Sequence, residues 1–132
     1  MRSWSGPQLV RSGGHPDRPA IVVVSAADGG AIEREVLAGI EEEGVPYSLV
    51  PAGSDDAAAD LARQAAMRSP LRVGIGLDVA GDVCVHHDQL ADVLPDLSSG
   101  GTADAGTART LGHNAARIVV GLPLKRQNRF SK

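Results

Sequence analysis

The stretch that most constrains the fold runs from Pro19 to Ala26, PAIVVVSA, where apolar and mostly β-branched side chains follow one another without alternation. A strand with one face in water would alternate apolar and polar residues. A continuous run is instead typical of a central strand that is covered on both faces. A turn at Asp28-Gly29-Gly30 then leads into a helical pattern. The run therefore predicts a sheet that carries helices on both sides.

The helix predicted within Ile32–Pro46, IEREVLAGIEEEGVP, is amphipathic. At about 100° per residue, its larger apolar side chains fall on one face, namely Ile32, Val36, Leu37 and Ile40. The opposite face carries Arg34, Glu35, Ala38 and Glu42. We expect the first face to pack on the sheet and the second to look outward.

The end of this helix is unusually acidic. Gly44 suits a helix terminus and Pro46 forbids continuation, so Glu41, Glu42 and Glu43 fall in the last turn. Carboxylates there oppose the helix dipole, at a cost of about 0.3–1 kcal/mol each at an exposed end. Two interpretations remain open: a solvated acidic face that tolerates this cost, or a carboxylate kept for a cation or a basic partner outside the chain. The small Ala38 side chain, one turn earlier, would not hold such a partner away.

The remaining pattern adds strands and two further helices. We expect strands at Tyr47–Val50, Leu71–Leu77 and Val83–His86, and helices from Ser54-Asp55-Asp56 to about Arg68 and from Ala105 to Val120. The Gly81-Asp82 connection is too short for a crossover, so the two strands that it joins should run antiparallel. A fifth strand is either very short, near Val93–Leu97, or displaced.

This order predicts an α/β fold: a three-layer α/β/α arrangement with a mixed, mostly parallel sheet of four to five strands. Residues 19–124 form the predicted single domain. Residues 1–18 are expected to be a disordered basic tail, and residues 125–132 a second basic tail.

Glycines inside the predicted elements indicate close packing. Gly74-x-Gly76 indicates either a close approach by a ligand or neighbour, or a bulge. Gly112 inside the last helix costs up to about 1 kcal/mol relative to Ala, which favours the approach of another backbone. Asn114 and Arg117 then project near that approach, and we assign them to a partner interface, with plain surface polarity as the alternative.

Charge and cysteine content exclude several classes of protein. Residues 20–122 carry 6 Lys and Arg against 15 Asp and Glu, a net charge of −9 that would repel nucleic acid and anionic membranes. Cys84, the single cysteine, favours a reducing compartment and is best taken as a small core residue. No apolar run approaches the ~20 residues that span a bilayer. We expect a cytoplasmic protein.

Catalytic and cofactor motifs are missing from the sequence. It contains no nucleophile paired with a base, no Walker loop and no G-x-G-x-x-G, so we expect neither enzymatic activity nor direct ATP binding. His86-His87-Asp88 suggests a metal site, but adjacent strand residues point to opposite faces and the two imidazoles would not converge. The pattern is typical of an interaction module.

Three motifs resemble a known family. GIEEEG at Gly39–Gly44, SPLRVGI at Ser69–Ile75 and GHNAARIVVGLPL at Gly112–Leu124 occur in the order found in the small subunit of the diol/glycerol dehydratase-reactivating factor. The resemblance implies a chaperone-like complex in which a large actin-like ATPase subunit pairs with this small subunit, in an α2β2 assembly. The complex releases damaged cobalamin from inactivated dehydratase, and the small subunit exchanges onto the dehydratase catalytic subunit in place of its medium subunit.

The resemblance also implies site residues. The middle glutamate, Glu42, would reach a Mg²⁺ bound mainly by the large subunit, and a hard cation suits a carboxylate ligand. Glu41 and Glu43 would adjust the electrostatic field around Glu42. Together with Ala38, they would lie at the partner interface. Neither ATP nor cobalamin is expected to bind this chain directly. Microcompartment-associated relatives are known for this pathway, although Gly6-Pro7 would break an amphipathic targeting helix.

Two alternatives share the predicted fold. The dehydratase medium subunit has the GIEEEG motif and the NAAR helix, but its segment after the third strand is richer in Ser and Gly than DVAGDVCVHH at Asp78–His87. A stand-alone flavodoxin-like nucleotide-binding protein would need a phosphate-binding first loop. Here Asp28 places a carboxylate where phosphate would sit.

Overall fold

The computed structural model describes residues 11–13, 19–89 and 94–126. The strands are β1 (Arg11–Gly13), β2 (Ile21–Ser25), β3 (Tyr47–Pro51), β4 (Val73–Leu77), β5 (Asp82–His87) and β6 (Ser98–Thr102). The helices are α1 (Ala31–Glu42), α2 (Ala58–Arg68) and α3 (Ala105–Val120), and a short 3₁₀ turn spans Pro95–Leu97. None of these helices is both long and apolar enough to cross a membrane.

The strands form one mixed sheet in the order β1-β3-β2-β4-β5-β6. Parallel pairing is confined to the three central strands, β3-β2-β4, and the pairings toward both edges are antiparallel. The predicted antiparallel hairpin of β4 and β5 is confirmed. All five side chains of β2 are buried, as its unbroken apolar run requires.

Helices cover both faces, so the predicted three-layer α/β/α fold with a mixed sheet is confirmed. The expectation that the sheet is mostly parallel is wrong, because two of its five strand pairings are parallel and three are antiparallel. The α1–α3 side holds the larger core, which includes Ile21, Val23, Ile75 and Val85 of the sheet. On the other face, Leu61 and Ala65 of α2 pack against β2. Gly74 and Gly76 lie under α2, where an added Cβ would come within 2.2 Å of Ala66 N and 2.3 Å of Ala58 O respectively. Their role is therefore the close approach of a neighbouring element.

The sheet has six strands, more than the four or five expected, because of β1. The prediction of disorder for residues 1–18 is wrong at Arg11–Gly13, which pairs antiparallel with β3. Such an edge strand is held by backbone pairing with a distant segment and needs no apolar period. The remaining residues of both predicted tails lie outside the described residues, except Lys125 and Arg126.

Of the two alternatives given for the fifth strand of the domain, the displaced one is confirmed: the strand spans Ser98–Thr102, and the stretch near Leu97 is a 3₁₀ turn. The start of the second helix differs from the prediction. Helix α2 begins at Ala58, after the Ser54-Asp55-Asp56 segment expected to cap it. The hydrogen bond at the start of this helix comes from elsewhere: Asp78 Oδ2, 20 residues further along the chain, accepts from Ala58 N at 3.3 Å.

Candidate partner-binding face

Helices α1 and α3 approach closely enough for their backbones to touch. A Cβ added at Gly39 would lie 2.3 Å from Arg109 O, and one added at Gly112 would lie 2.1 Å from Val36 O. The close approach predicted from Gly112 is therefore confirmed. It brings the acidic end of α1 alongside basic side chains of α3.

Three basic residues of α3, spaced four apart, meet the carboxylates of α1. Arg109, His113 and Arg117 lie on one stripe of the helix because residues four apart share a face. Arg109 Nε contacts Glu35 Oε1 at 2.9 Å, and Arg109 Nη1 contacts Glu42 Oε2 at 2.8 Å. Together with Glu43, these side chains form a cluster that we call the α1–α3 ion-pair ladder. Its six members are Glu35, Glu42, Glu43, Arg109, His113 and Arg117.

His113 lies between two carboxylates. Its Nδ1 is 2.6 Å from Glu43 Oε2 and its Nε2 is 2.8 Å from Glu42 Oε1. The Nδ1 contact is a hydrogen bond, and the Nε2 contact is within ion-pair distance. His113 therefore links Glu42 to Glu43 within the ladder.

Glu43 is the most enclosed of the three consecutive glutamates, with a side chain 12% exposed. Hydrogen bonds from His113 and then Arg117 hold the pKa of its carboxyl below the ordinary value of 4.5. Arg117 Nε lies 2.9 Å from Glu43 Oε2. Cations from α3 thus offset the unfavourable position of this carboxylate at the end of α1.

Glu42 is the ladder carboxylate most open to solvent, with 51% of its side chain exposed. Among the described residues, one Glu42 oxygen contacts Arg109 and the other contacts His113. Within the described ranges, no cluster of three or more His, Cys, Asp or Glu side chains could hold a metal ion.

The other residues assigned from the sequence occupy different environments. Glu41 is exposed and its Oε2 accepts a hydrogen bond from the Tyr47 hydroxyl at 3.2 Å, while Ala38 is half-buried on α1. Arg117 Nη1 also donates to Pro123 O at 3.1 Å, so this side chain joins α1 to the segment after α3.

Asn114 is fully buried, which its assignment to a partner interface did not anticipate. Its amide nitrogen donates to Asp96 O at 3.0 Å and to Lys125 O at 2.8 Å, and its Oδ1 accepts from Lys125 N at 2.6 Å. Asn114 therefore fixes the backbone after α3 against the domain, and its side chain has no surface to present in this conformation.

Arg109 and His113 are the site residues that the sequence reasoning missed. Their four-residue spacing with Arg117 is visible in the sequence and was a usable signal for a basic stripe. That this stripe faces α1 depends on contacts between residues 67 to 74 positions apart.

Comparison with known proteins gives consistent matches over the folded part of the chain. The family model for the dehydratase medium subunit matches residues 18–125. The propanediol dehydratase-reactivating factor small subunit of Salmonella typhimurium is 41% identical over 109 residues, which cover 81% of this chain and 90% of that protein. The diol dehydratase-reactivating factor small subunit of Klebsiella michiganensis is 42% identical over 111 residues, with coverage of 83% and 84%.

Solved structures agree with these sequence matches. A glycerol dehydratase reactivase chain superposes with a TM-score of 0.73 at 35% identity, covering 83% of this chain and 98% of that chain. A chain from the diol dehydratase-reactivating factor complexed with ADP and Mg²⁺ gives a TM-score of 0.70 at 38% identity, with coverage of 83% and 99%. The sheet and its three helices thus have a known counterpart.

Proposed function

Because this chain belongs to the dehydratase medium-subunit family, among the small subunits of diol and glycerol dehydratase-reactivating factors, we propose that it is the small, non-catalytic subunit of such a factor. The carrying observation is the near-complete coverage of reactivating-factor small subunits at about 41% identity. In this role the chain pairs with a large ATPase subunit, in an α2β2 assembly, in the cytoplasm. Nucleotide hydrolysis belongs to the large subunit.

We assign the end of α1 to contact with the large subunit. Glu42 is the proposed ligand that reaches a Mg²⁺ held mainly by that subunit. Its 51% side-chain exposure leaves it accessible, and Mg²⁺ is commonly bound through one or two carboxylates with other oxygen ligands. Arg109 and His113 each contact one oxygen of Glu42, and a carboxylate oxygen with one such contact keeps a second lone pair for a metal ion.

The proposed reaction cycle ends on the dehydratase. The small subunit leaves the ATPase and takes the place of the dehydratase medium subunit, which frees the damaged cobalamin for replacement by intact adenosylcobalamin. The family relationship between the small subunit and the medium subunit supports this exchange, because related folds can present similar faces to one catalytic subunit. Diol and glycerol dehydratases are both represented among the clients of the relatives.

A reactivation assay tests this function. Dehydratase loaded with an inactive cobalamin is incubated with the large subunit, ATP and Mg²⁺, with or without this chain, and adenosylcobalamin is then added. We expect dehydratase activity to return only when both subunits and ATP are present. Failure to restore activity, together with stable incorporation of this chain into dehydratase as its medium subunit, would contradict the proposal and favour that alternative role.

A further inference from the structure

A cleft of about 470 Å³ lies at the carboxyl ends of β2 and β3, beside the start of α1. Its lining includes Ser25, Asp28, Glu33, Leu49 and Pro51. Glu33 is nine residues before Glu42 on α1, which separates the two by about 14 Å along the helix axis. The cleft is therefore distinct from the ion-pair ladder and does not depend on the proposed function.

Glu33 is a buried carboxylate with an incomplete set of partners. The residue is 3% exposed, and its Oε1 accepts a hydrogen bond from Ser25 Oγ at 2.7 Å. No cation and no second donor reaches its carboxylate from the described part of the chain. Buried carboxylates are almost always paired, because removal of an ionised group from water is costly unless a counter-charge or hydrogen bonds replace the solvent.

Nearby groups do not supply the missing partner. Ser25 Oγ donates its proton to Glu33 and accepts from Ala27 N at 3.0 Å, so the hydroxyl is already used. The cation nearest in sequence, Arg34, donates instead to Gly29 O at 2.8 Å. Asp28, in a left-handed turn with φ of 54°, adds a second carboxylate to the lining. The cleft therefore offers acceptors and negative charge.

From this geometry we propose that the cleft binds a primary ammonium group carried on an aliphatic stem, with the ammonium against Glu33 and the stem against Leu49, Pro51 and Ala52. An ammonium supplies three donors and one positive charge, which matches the free oxygen of Glu33 and the Asp28 carboxylate. The apolar walls suit the methylene groups of such a stem. A lysine side chain of a partner protein and a free alkyl diamine share this chemistry.

Other ligand classes fit less well. An anion would meet two carboxylates, although it would otherwise favour the start of a helix. A divalent metal ion would find only Glu33 and Asp28 as charged ligands, and the described residues provide no third carboxylate, His or Cys there. A neutral apolar molecule would leave the buried carboxylate without its missing partner.

The test is an amide NMR titration of the full chain near neutral pH with four probes: n-butylammonium, n-butanol, 1,4-diaminobutane and a blocked lysine. We expect n-butylammonium to shift the amides around Ser25, Gly29 and Glu33 in a saturable manner, and n-butanol to leave them unchanged. Tighter binding of 1,4-diaminobutane indicates a free alkyl diamine as the ligand, and tighter binding of blocked lysine indicates a lysine side chain of a partner protein. Equal shifts by n-butanol, or no shift at the cleft with any ammonium probe, overturn the proposal.

Charge-neutralising variants localise the effect. Glu33→Gln keeps the side-chain size and should weaken n-butylammonium binding at least tenfold. Asp60→Asn removes one charge on α2, on the opposite side of the sheet, and should leave binding unchanged. If Glu33→Gln does not fold, Asp28→Asn is the second variant, since Asp28 is exposed, and it should also weaken binding. Binding that is insensitive to the cleft variants, or Mg²⁺ binding at the same amides, contradicts the assignment.

Discussion

Substitution of Gly112 by alanine should test how closely α1 and α3 are packed. The added Cβ would lie 2.1 Å from Val36 O and 3.2 Å from Gly39 Cα. Ordinary van der Waals contact begins near 3.4 Å, so the helices must separate locally by roughly 1 Å. Both obstructing atoms are backbone atoms, and a change of rotamer cannot relieve the clash.

The expected cost follows from two opposing terms. Overpacking in a well-packed interior costs about 1–3 kcal/mol, and a backbone clash belongs at the upper end of that range. Alanine recovers about 1 kcal/mol of helix propensity relative to glycine. We therefore expect a net loss of about 2 kcal/mol in the free energy of unfolding, equivalent to a fall in Tm of about 8–16 °C for a domain of this size.

Thermal and urea unfolding followed by circular dichroism measure this loss. Gly106→Ala is the matched control, because it lies in the same helix and its added Cβ would meet only Asp104 Oδ1, at 3.8 Å. This variant should be as stable as the wild type or more stable. If Gly112→Ala were as stable as Gly106→Ala, the close α1–α3 approach would be refuted.

Two further predictions concern single ionisable groups. The pKa of Glu43 is lowered in the folded chain, so its stabilising contribution is present above its ordinary value of 4.5 and is lost as the pH falls through the lower folded value. Glu43→Gln should therefore lose less stability than the wild type on acidification below about pH 4.5 in urea titrations, and parallel pH profiles would count against the His113 and Arg117 contacts. Burial raises the pKa of the Cys84 thiol to about 11, so the native chain should react with a thiol reagent far more slowly at mildly alkaline pH than the urea-unfolded chain. Equal rates would show that Cys84 is accessible.

Helices α1 and α3 could be predicted because the residues that determine them lie within their own segments. Helix α3 spans the predicted Ala105–Val120 because its apolar spacing and the terminating Gly121 are contained within the segment itself. Gly121 adopts the left-handed conformation, with φ of 77°, that favours glycine after a helix. The buried face of α1 was likewise predicted correctly at Val36, Leu37 and Ile40.

Elements that depend on distant contacts were either missed or predicted without a position. Strand β6 reads SSGGT, a composition that disfavours strands, and it is held by pairing with β5 and by a hydrogen bond from Val83 N to Ser99 Oγ at 2.9 Å. Strand β1 depends in the same way on β3. Such pairings follow from the assembled sheet, and a local pattern does not contain them.

The same distinction between local signals and distant contacts explains which part of the candidate site could be predicted. The acidic end of α1 was visible as a run of three glutamates, and its conflict with the helix dipole was correctly identified. Its partners on α3 follow Glu43 by 70 and 74 residues, so the sequence left open whether the carboxylates were solvated or reserved for another molecule. The structure adds a third situation, in which the chain supplies its own cations while Glu42 stays half exposed.

The most direct test of the account is size-exclusion chromatography of this chain co-expressed with its large ATPase subunit, with and without Mg²⁺. Glu42→Ala removes the proposed ligand, and Glu35→Ala is the matched control because it also removes an ion pair with Arg109. We predict a stable complex for the wild type and for Glu35→Ala, and a weakened complex for Glu42→Ala or after removal of Mg²⁺. No complex with the ATPase, or a complex that Glu35→Ala and Glu42→Ala weaken equally and that ignores Mg²⁺, would contradict the assignment of Glu42.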